Sequence, residues 1–89
     1  MTVIHSMPNA ADFREEFAKL REQANREGHR FFEVTGGQLH RLAGGYPGRS
    51  HRMPVCCGVM LSEMRPGDEL LEAPPSLHGA SLKIRYIVR

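Results

Sequence analysis

Eighty-nine residues close one small domain, and a chain of that size has room for a single core but not for a long internal active-site cleft, which disfavours catalysis. The formal charge of +2 is too small to imply a polyanionic partner by itself, so the distribution of charge along the chain has to decide that question. No apolar run reaches membrane-span length, Met1 to Pro8 lack the basic-then-apolar order of a secretory signal, and the only cysteines are the neighbours Cys56 and Cys57, which close a strained disulfide with difficulty; a soluble protein in the reducing cytoplasm is expected.

Asn9 opens the first predicted helix as its cap, with Asp12 at the third helical position, where a carboxylate completes a capping box and complements the helix dipole. Phe13, Phe17, Leu20 and Ala24 then form one stripe, with Arg14, Glu15, Glu16, Lys19, Arg21 and Glu22 largely outside it. Gly28 ends the helix. Two aromatics and a valine in Arg30 to Val34 predict a short strand that pairs with a later hairpin.

Thr35-Gly36-Gly37-Gln38 reads as a second capping box, and Leu39, Leu42 and Ala43 as the buried face of a short second helix. Gly44 to Gly48 cannot stay helical and forms a turn. A third helix is expected to start at Ser50 or His51, because Pro54 is tolerated only in a first turn, and to run to about Arg65. It buries Met53, Cys56, Cys57, Met60 and Met64, and leaves His51, Val55, Gly58, Ser62 and Arg65 on the opposite side. Pro66-Gly67-Asp68 turns the chain into two strands, Glu69 to Leu71 with Glu72, and Ser81 to Arg89, joined through a Pro-rich tip at Ala73 to Ala80. In the last strand Leu82, Ile84, Tyr86 and Val88 face a core, whereas Lys83 and Arg85 make the other face cationic.

Charge is concentrated in the middle. From Thr35 to Gly67 four arginines meet one acid, Glu63, for a local balance of +3. Arg41, Arg49, Ser50, His51 and Arg52 surround the turn between the second and third helices, where a DNA-reading helix pair meets phosphates and base edges. His78 at the hairpin tip, with Lys83 and Arg85 behind it, would add contacts along the backbone or in a minor groove. The amides of Thr35, Gly36 and Gly37 open a helix and form a candidate phosphate contact, although no GxGxxG spacing or Walker lysine accompanies them.

Two adjacent cysteines on one helix cannot converge on one ion, so neither a metal site nor any cofactor is expected, and no nucleophile–base pair or paired carboxylates point to an enzyme. Buried Cys56 and Cys57 behave as small hydrophobes.

From Thr35 to Val88 the order helix, Gly/Pro turn, helix, hairpin, preceded by a helix and a short strand, resembles the winged helix-turn-helix superfamily. The segments Gly44-Gly45-Tyr46-Pro47-Gly48 and His51-Arg52-Met53-Pro54, with Gly67-Asp68-Glu69 and Gly79 to Tyr86, are similar to those of small bacterial and mobile-element proteins. The resemblance implies an α+β fold, a single winged helix-turn-helix domain over 1–89, with three helices, a short strand and a C-terminal β-hairpin wing. It also implies duplex DNA binding through the third helix and wing, as in a small transcription regulator or accessory factor, by a monomer or homodimer. Val55, Gly58 and Ser62 stand where a sequence reader carries long polar side chains, which weighs against base readout. The alternative is a protein-interaction winged helix, an inhibitor or adaptor of a phage or mobile element, that uses the short-side-chain face of the third helix and Leu77.

Overall fold

In the computed structural model residues 8–44, 46 and 52–89 are described. Among them the chain forms a small α+β domain of three helices and one three-stranded antiparallel sheet.

Helix α1 spans Ala10–Arg26 and begins with the expected reciprocal cap: the Asp12 amide donates to Asn9 Oδ1 at 3.0 Å and the Asn9 amide to Asp12 Oδ2 at 2.8 Å. It ends through Gly28, at φ +78°, with the Gly28 amide bonded to the Asn25 carbonyl and the His29 amide to the Ala24 carbonyl, a Schellman closure. Its inward stripe is Phe13, Phe17 and Ala24.

Strand β1 (Phe31–Thr35) sits one residue later than the spacing predicts and runs straight into helix α2 (Gly36–Ala43), because Thr35 serves as both the last strand residue and the helix cap. Only the Thr35 half of the second capping box forms, with the Gln38 amide 3.0 Å from Thr35 Oγ1. The buried face of α2 also differs from expectation. Leu39 and His40 are both fully buried, and Leu42 stays 49% exposed.

Helix α3 covers Met53–Ser62, with Pro54 in its first turn, and ends short of the expected Arg65; the expected start at Ser50 or His51 lies outside the described residues. Pro66 disfavours helical backbone at Arg65. In addition, the Asp68 carboxylate, nearly sealed from water, accepts the Arg65 amide and the Ile87 amide, each at 2.8 Å, and so pins the exit from α3 to the end of the sheet. Strands β2 (Glu69–Glu72) and β3 (Lys83–Ile87) form the hairpin, and β3 lies centrally in the order β1-β3-β2.

The core lies between the helices and one sheet face. Phe13, Phe17, Val34, Leu39, Met60, Leu82, Ile84 and Tyr86 fill it, and the Tyr86 hydroxyl donates to the Met60 carbonyl at 2.7 Å, tying the central strand to α3. Removing these side chains from water is the main driving force, on the order of 2 kcal/mol for each large one.

Candidate nucleic-acid interface

The corner between α2 and α3 is organised by a residue that the hydrophobic pattern does not mark. His40 is fully buried on α2, edge-on to Phe13 of α1 at 4.9 Å between centroids and tilted against Tyr46 at 5.5 Å. Its Nδ1 lies 3.0 Å from the Gly44 carbonyl, where α2 ends, and its Nε2 accepts the Arg52 amide at 2.6 Å, where α3 begins. Arg52, the cap residue of α3, makes no side-chain cap of its own, so His40 supplies that end of α3 with an acceptor from another helix.

Two of the expected cations stand at this corner. Arg41 is exposed on α2 with its guanidinium 5.8 Å from the Tyr46 ring centre, beside a concavity of about 410 Å³ lined also by Thr35, Gln38 and Ala80. Arg52 is half-buried at the head of α3. Neither is ion-paired among the described residues. Arg49, Ser50 and His51, expected at the same corner, lie outside the described residues.

The anion-cradle expectation for Thr35, Gly36 and Gly37 is corrected by the hydrogen bonds. The Gly36 amide donates to the Leu82 carbonyl at 2.8 Å, the Gly37 amide to the Ala80 carbonyl at 3.0 Å, and the Gln38 amide to Thr35 Oγ1. These amides are already engaged. A Cβ at Gly36 would stand 2.9 Å from the Gly79 carbonyl oxygen and 3.1 Å from Cys57 Sγ, so the glycine pair is a backbone-to-backbone joint between α2 and the root of the hairpin.

Lys83 and Arg85 are on the outer sheet face, as their alternation predicts, but they face Glu33 of β1. Lys83 Nζ is 3.4 Å from Glu33 Oε1, and Arg85 Nη2 and Nε lie 3.1 and 3.2 Å from Glu33 Oε2. These bonds, that from Arg85 above all, hold the Glu33 carboxyl below its usual range. On the other side β2 sets Glu69 opposite Arg85 and Glu72 opposite Lys83. The two cations therefore sit among three carboxylates. This arrangement weakens the pull of the two cations on a phosphate.

His78 is exposed in the β2–β3 connection, its amide bonded to Ser76 Oγ at 3.2 Å, next to Leu77 at φ +61°. The root of that connection is fastened by Cys57, whose thiol donates to the Gly79 carbonyl at 3.4 Å, while Cys56 reaches the Gly36 carbonyl at 3.5 Å. Burial pushes the Cys56 thiol up to about 12, with a contribution from Cys57, and the Cys57 thiol up to about 11. Neither is a thiolate at neutral pH, as a nucleophile or metal ligand would have to be. Among the described residues no group of three His, Cys, Asp or Glu side chains is placed to hold a metal ion.

The outward side of α3 presents Pro54, Val55, Gly58, Leu61 and Ser62 and no charge, and a Cβ at Gly58 would meet nothing within 4 Å. Among the described residues no helix is long and apolar enough to cross a membrane. No family model, curated protein or solved structure matches the chain.

Proposed function

We propose that the chain is a winged helix-turn-helix module that binds the backbone of duplex DNA through the α2–α3 corner and the β2–β3 tip, with little base readout. The element order, the sheet order β1-β3-β2 and the position of the hairpin root against α2 and α3 support that architecture. The observation that carries the reading is the partition of the cations. Arg41 and Arg52 have no ion pair among the described residues, in the interval from Thr35 to Ser62 that has no acidic residue, whereas Lys83 and Arg85 are both ion-paired with Glu33. The apolar outer face of α3 contributes close approach to the sugar–phosphate chain instead of hydrogen bonds to base edges.

Two phosphate contacts predict that log K falls with log salt at a slope of about −2, read by fluorescence anisotropy on a mixed duplex between about 50 and 200 mM salt. Arg52→Ala should weaken binding across all sequences and reduce the slope by about one, whereas Arg85→Ala should change neither. Affinity that is indifferent to salt would refute the proposal.

One observation favours a second reading. Gly58, half-buried on α3 between Val55 and Leu61, which themselves pack in part against the core, answers no packing demand inside the domain, as a point of close approach for a partner protein would. Gly58→Arg separates the two. An added cation there strengthens duplex binding if α3 faces phosphates, and blocks a closely packed protein partner if it does not.

A further inference from the structure

Arg21 stands one helical turn after Phe17 on α1, and its guanidinium lies over two aromatic rings, with Cζ 5.0 Å from the Phe17 ring centre and 6.0 Å from that of Phe32. Its Nε and Nη2 are sealed from water and have no hydrogen-bond partner, a state shared by no other buried side-chain nitrogen or oxygen among the described residues. The two atoms are neighbours on one side of the guanidinium. They form its side-on edge, the same pair of nitrogens with which Arg85 holds Glu33. An aromatic ring attracts the face of a guanidinium and gives that edge no acceptor, and a buried donor without one is costly, more so on a charged group.

Beside Arg21 is a cavity of about 310 Å³ between α1, the end of α3 and the end of β3. Phe17 and Ala18 give it an apolar wall, and three guanidinium groups, those of Arg14, Arg21 and Arg89, line it against the two carboxylates of Glu22 and Glu63. Glu22 is paired with Arg26 at 3.7 Å, and Arg89 donates to the Pro66 carbonyl at 2.6 Å and lies 3.6 Å from Asp68. Neither Glu22 nor Glu63 bonds to Arg21, although both share its cavity.

We propose that this cavity binds a small organic carboxylate. Arg21 turns its Nε–Nη2 edge off the Phe17 ring and into the cavity to take the carboxylate side-on, Arg14 adds positive charge, and Phe17 and Ala18 pack against the carbon skeleton. The volume suits roughly ten non-hydrogen atoms at about 30 Å³ each. Charge selects a planar monoanion over a phosphate dianion, because Glu22 and Glu63 repel the second charge more than the lining's small positive excess attracts it. The site lies at the far end of α3 from the α2–α3 corner and does not depend on the duplex reading.

The test is an NMR titration of the 15N-labelled protein with benzoate, read at the Arg21 Nε–H resonance, with benzamide as a neutral twin of the same shape and inorganic phosphate as the other oxyanion. Leaving the shielding face of the Phe17 ring and gaining a carboxylate both move that proton downfield. The expected result is a saturable downfield shift with a Kd of about 1 mM, the scale for a ligand of roughly nine non-hydrogen atoms. Benzamide should give no saturable shift, and phosphate should bind more weakly. Arg21→Lys keeps the stem and the charge but loses the two-donor edge, so benzoate binding, now read at the Ala18 and Glu22 amides, should weaken roughly tenfold. Lys19→Gln removes a cation of α1 that does not line the cavity and should leave binding unchanged, whereas Glu63→Gln removes a repelling charge and should strengthen it.

No saturable shift up to about 50 mM benzoate, far above the expected Kd, overturns the proposal. So does an equal response to benzamide, tighter binding of phosphate, or undiminished affinity in Arg21→Lys. A ligand-free Arg21 Nε–H resonance that moves upfield in Glu63→Gln shows that Glu63 already takes the edge, and overturns it too. The comparison of benzoate with benzamide on the wild type stands whether or not the variants fold.

Discussion

Gly36→Ala and Gly58→Ala are the same chemical change, each inside a helix, and the structure requires them to act with opposite sign. At Gly36 the new methyl would lie 2.9 Å from the Gly79 carbonyl oxygen, 3.1 Å from Cys57 Sγ and 3.4 Å from Met53 Sδ. The nearest of these is backbone and cannot rotate aside, so α2 has to move away from the hairpin root and stretch the Gly36-to-Leu82 and Gly37-to-Ala80 bonds, now 2.8 and 3.0 Å. Overpacking of this kind costs about 1–3 kcal/mol. At Gly58 nothing lies within 4 Å, and alanine only removes backbone freedom from the unfolded chain and improves helix propensity, a gain of about 0.5–1 kcal/mol. In a domain of this size each kcal/mol moves the midpoint by roughly 4–8 °C, so the two variants should melt on opposite sides of the wild type in a thermal scan followed by circular dichroism. A Gly36→Ala protein as stable as the wild type would refute the joint.

Asp68→Ala strips the acceptor from both the Arg65 and Ile87 amides, and at about 1.5–3 kcal/mol for each bond to a charged group the urea midpoint should drop sharply, with Asp68→Asn intermediate. The cysteines predict alkaline weakening: their folded thiols hold protons up to about 11 and 12, whereas unfolded ones lose them near about 8.5, so the unfolded state binds fewer protons in between and stability falls as pH rises through that window. Urea titrations at about pH 7.5 and 9.5 should show the loss, reduced in Cys57→Ala.

Where the chain states its intentions locally, the sequence is easy to read. Asn9 with Asp12, Gly28, Pro54 and Gly67 mark caps, stops and turns within three or four residues of where they act, and α1, the hairpin and the order of elements follow from them. The inward residues of β3 are legible for the same reason, since Leu82, Ile84 and Tyr86 alternate and are all fully buried. The face of α2 is not legible. Eight residues give barely two turns, too few for a periodicity to choose between Leu42 and His40, and the choice is made by Gly36 and Gly37 locking the helix start against a loop more than forty positions away. A cue for His40 does exist: it stands four residues before Gly44, the distance at which a side chain in the last turn can reach the carbonyl that closes the helix.

The candidate site divides in the same way. Counting charge along the chain singles out the corner as the expected interface, because acids are missing from a continuous interval. It does not foresee the ion pairs of Lys83 and Arg85, because these depend on β3 lying between β1 and β2, which sets Glu33 opposite Arg85 across 52 positions of sequence and Glu69 on the other side. Composition of the last third of the chain is balanced, yet the pairing that fixes the outer sheet face draws on the strand before α2. An edge strand would have left one flank of Lys83 and Arg85 open to a phosphate; the central position closes both. The same topology that makes the hairpin part of the fold therefore pairs Lys83 and Arg85 with Glu33, and leaves Arg41 and Arg52, at the α2–α3 corner that His40 holds together, without an ion pair among the described residues.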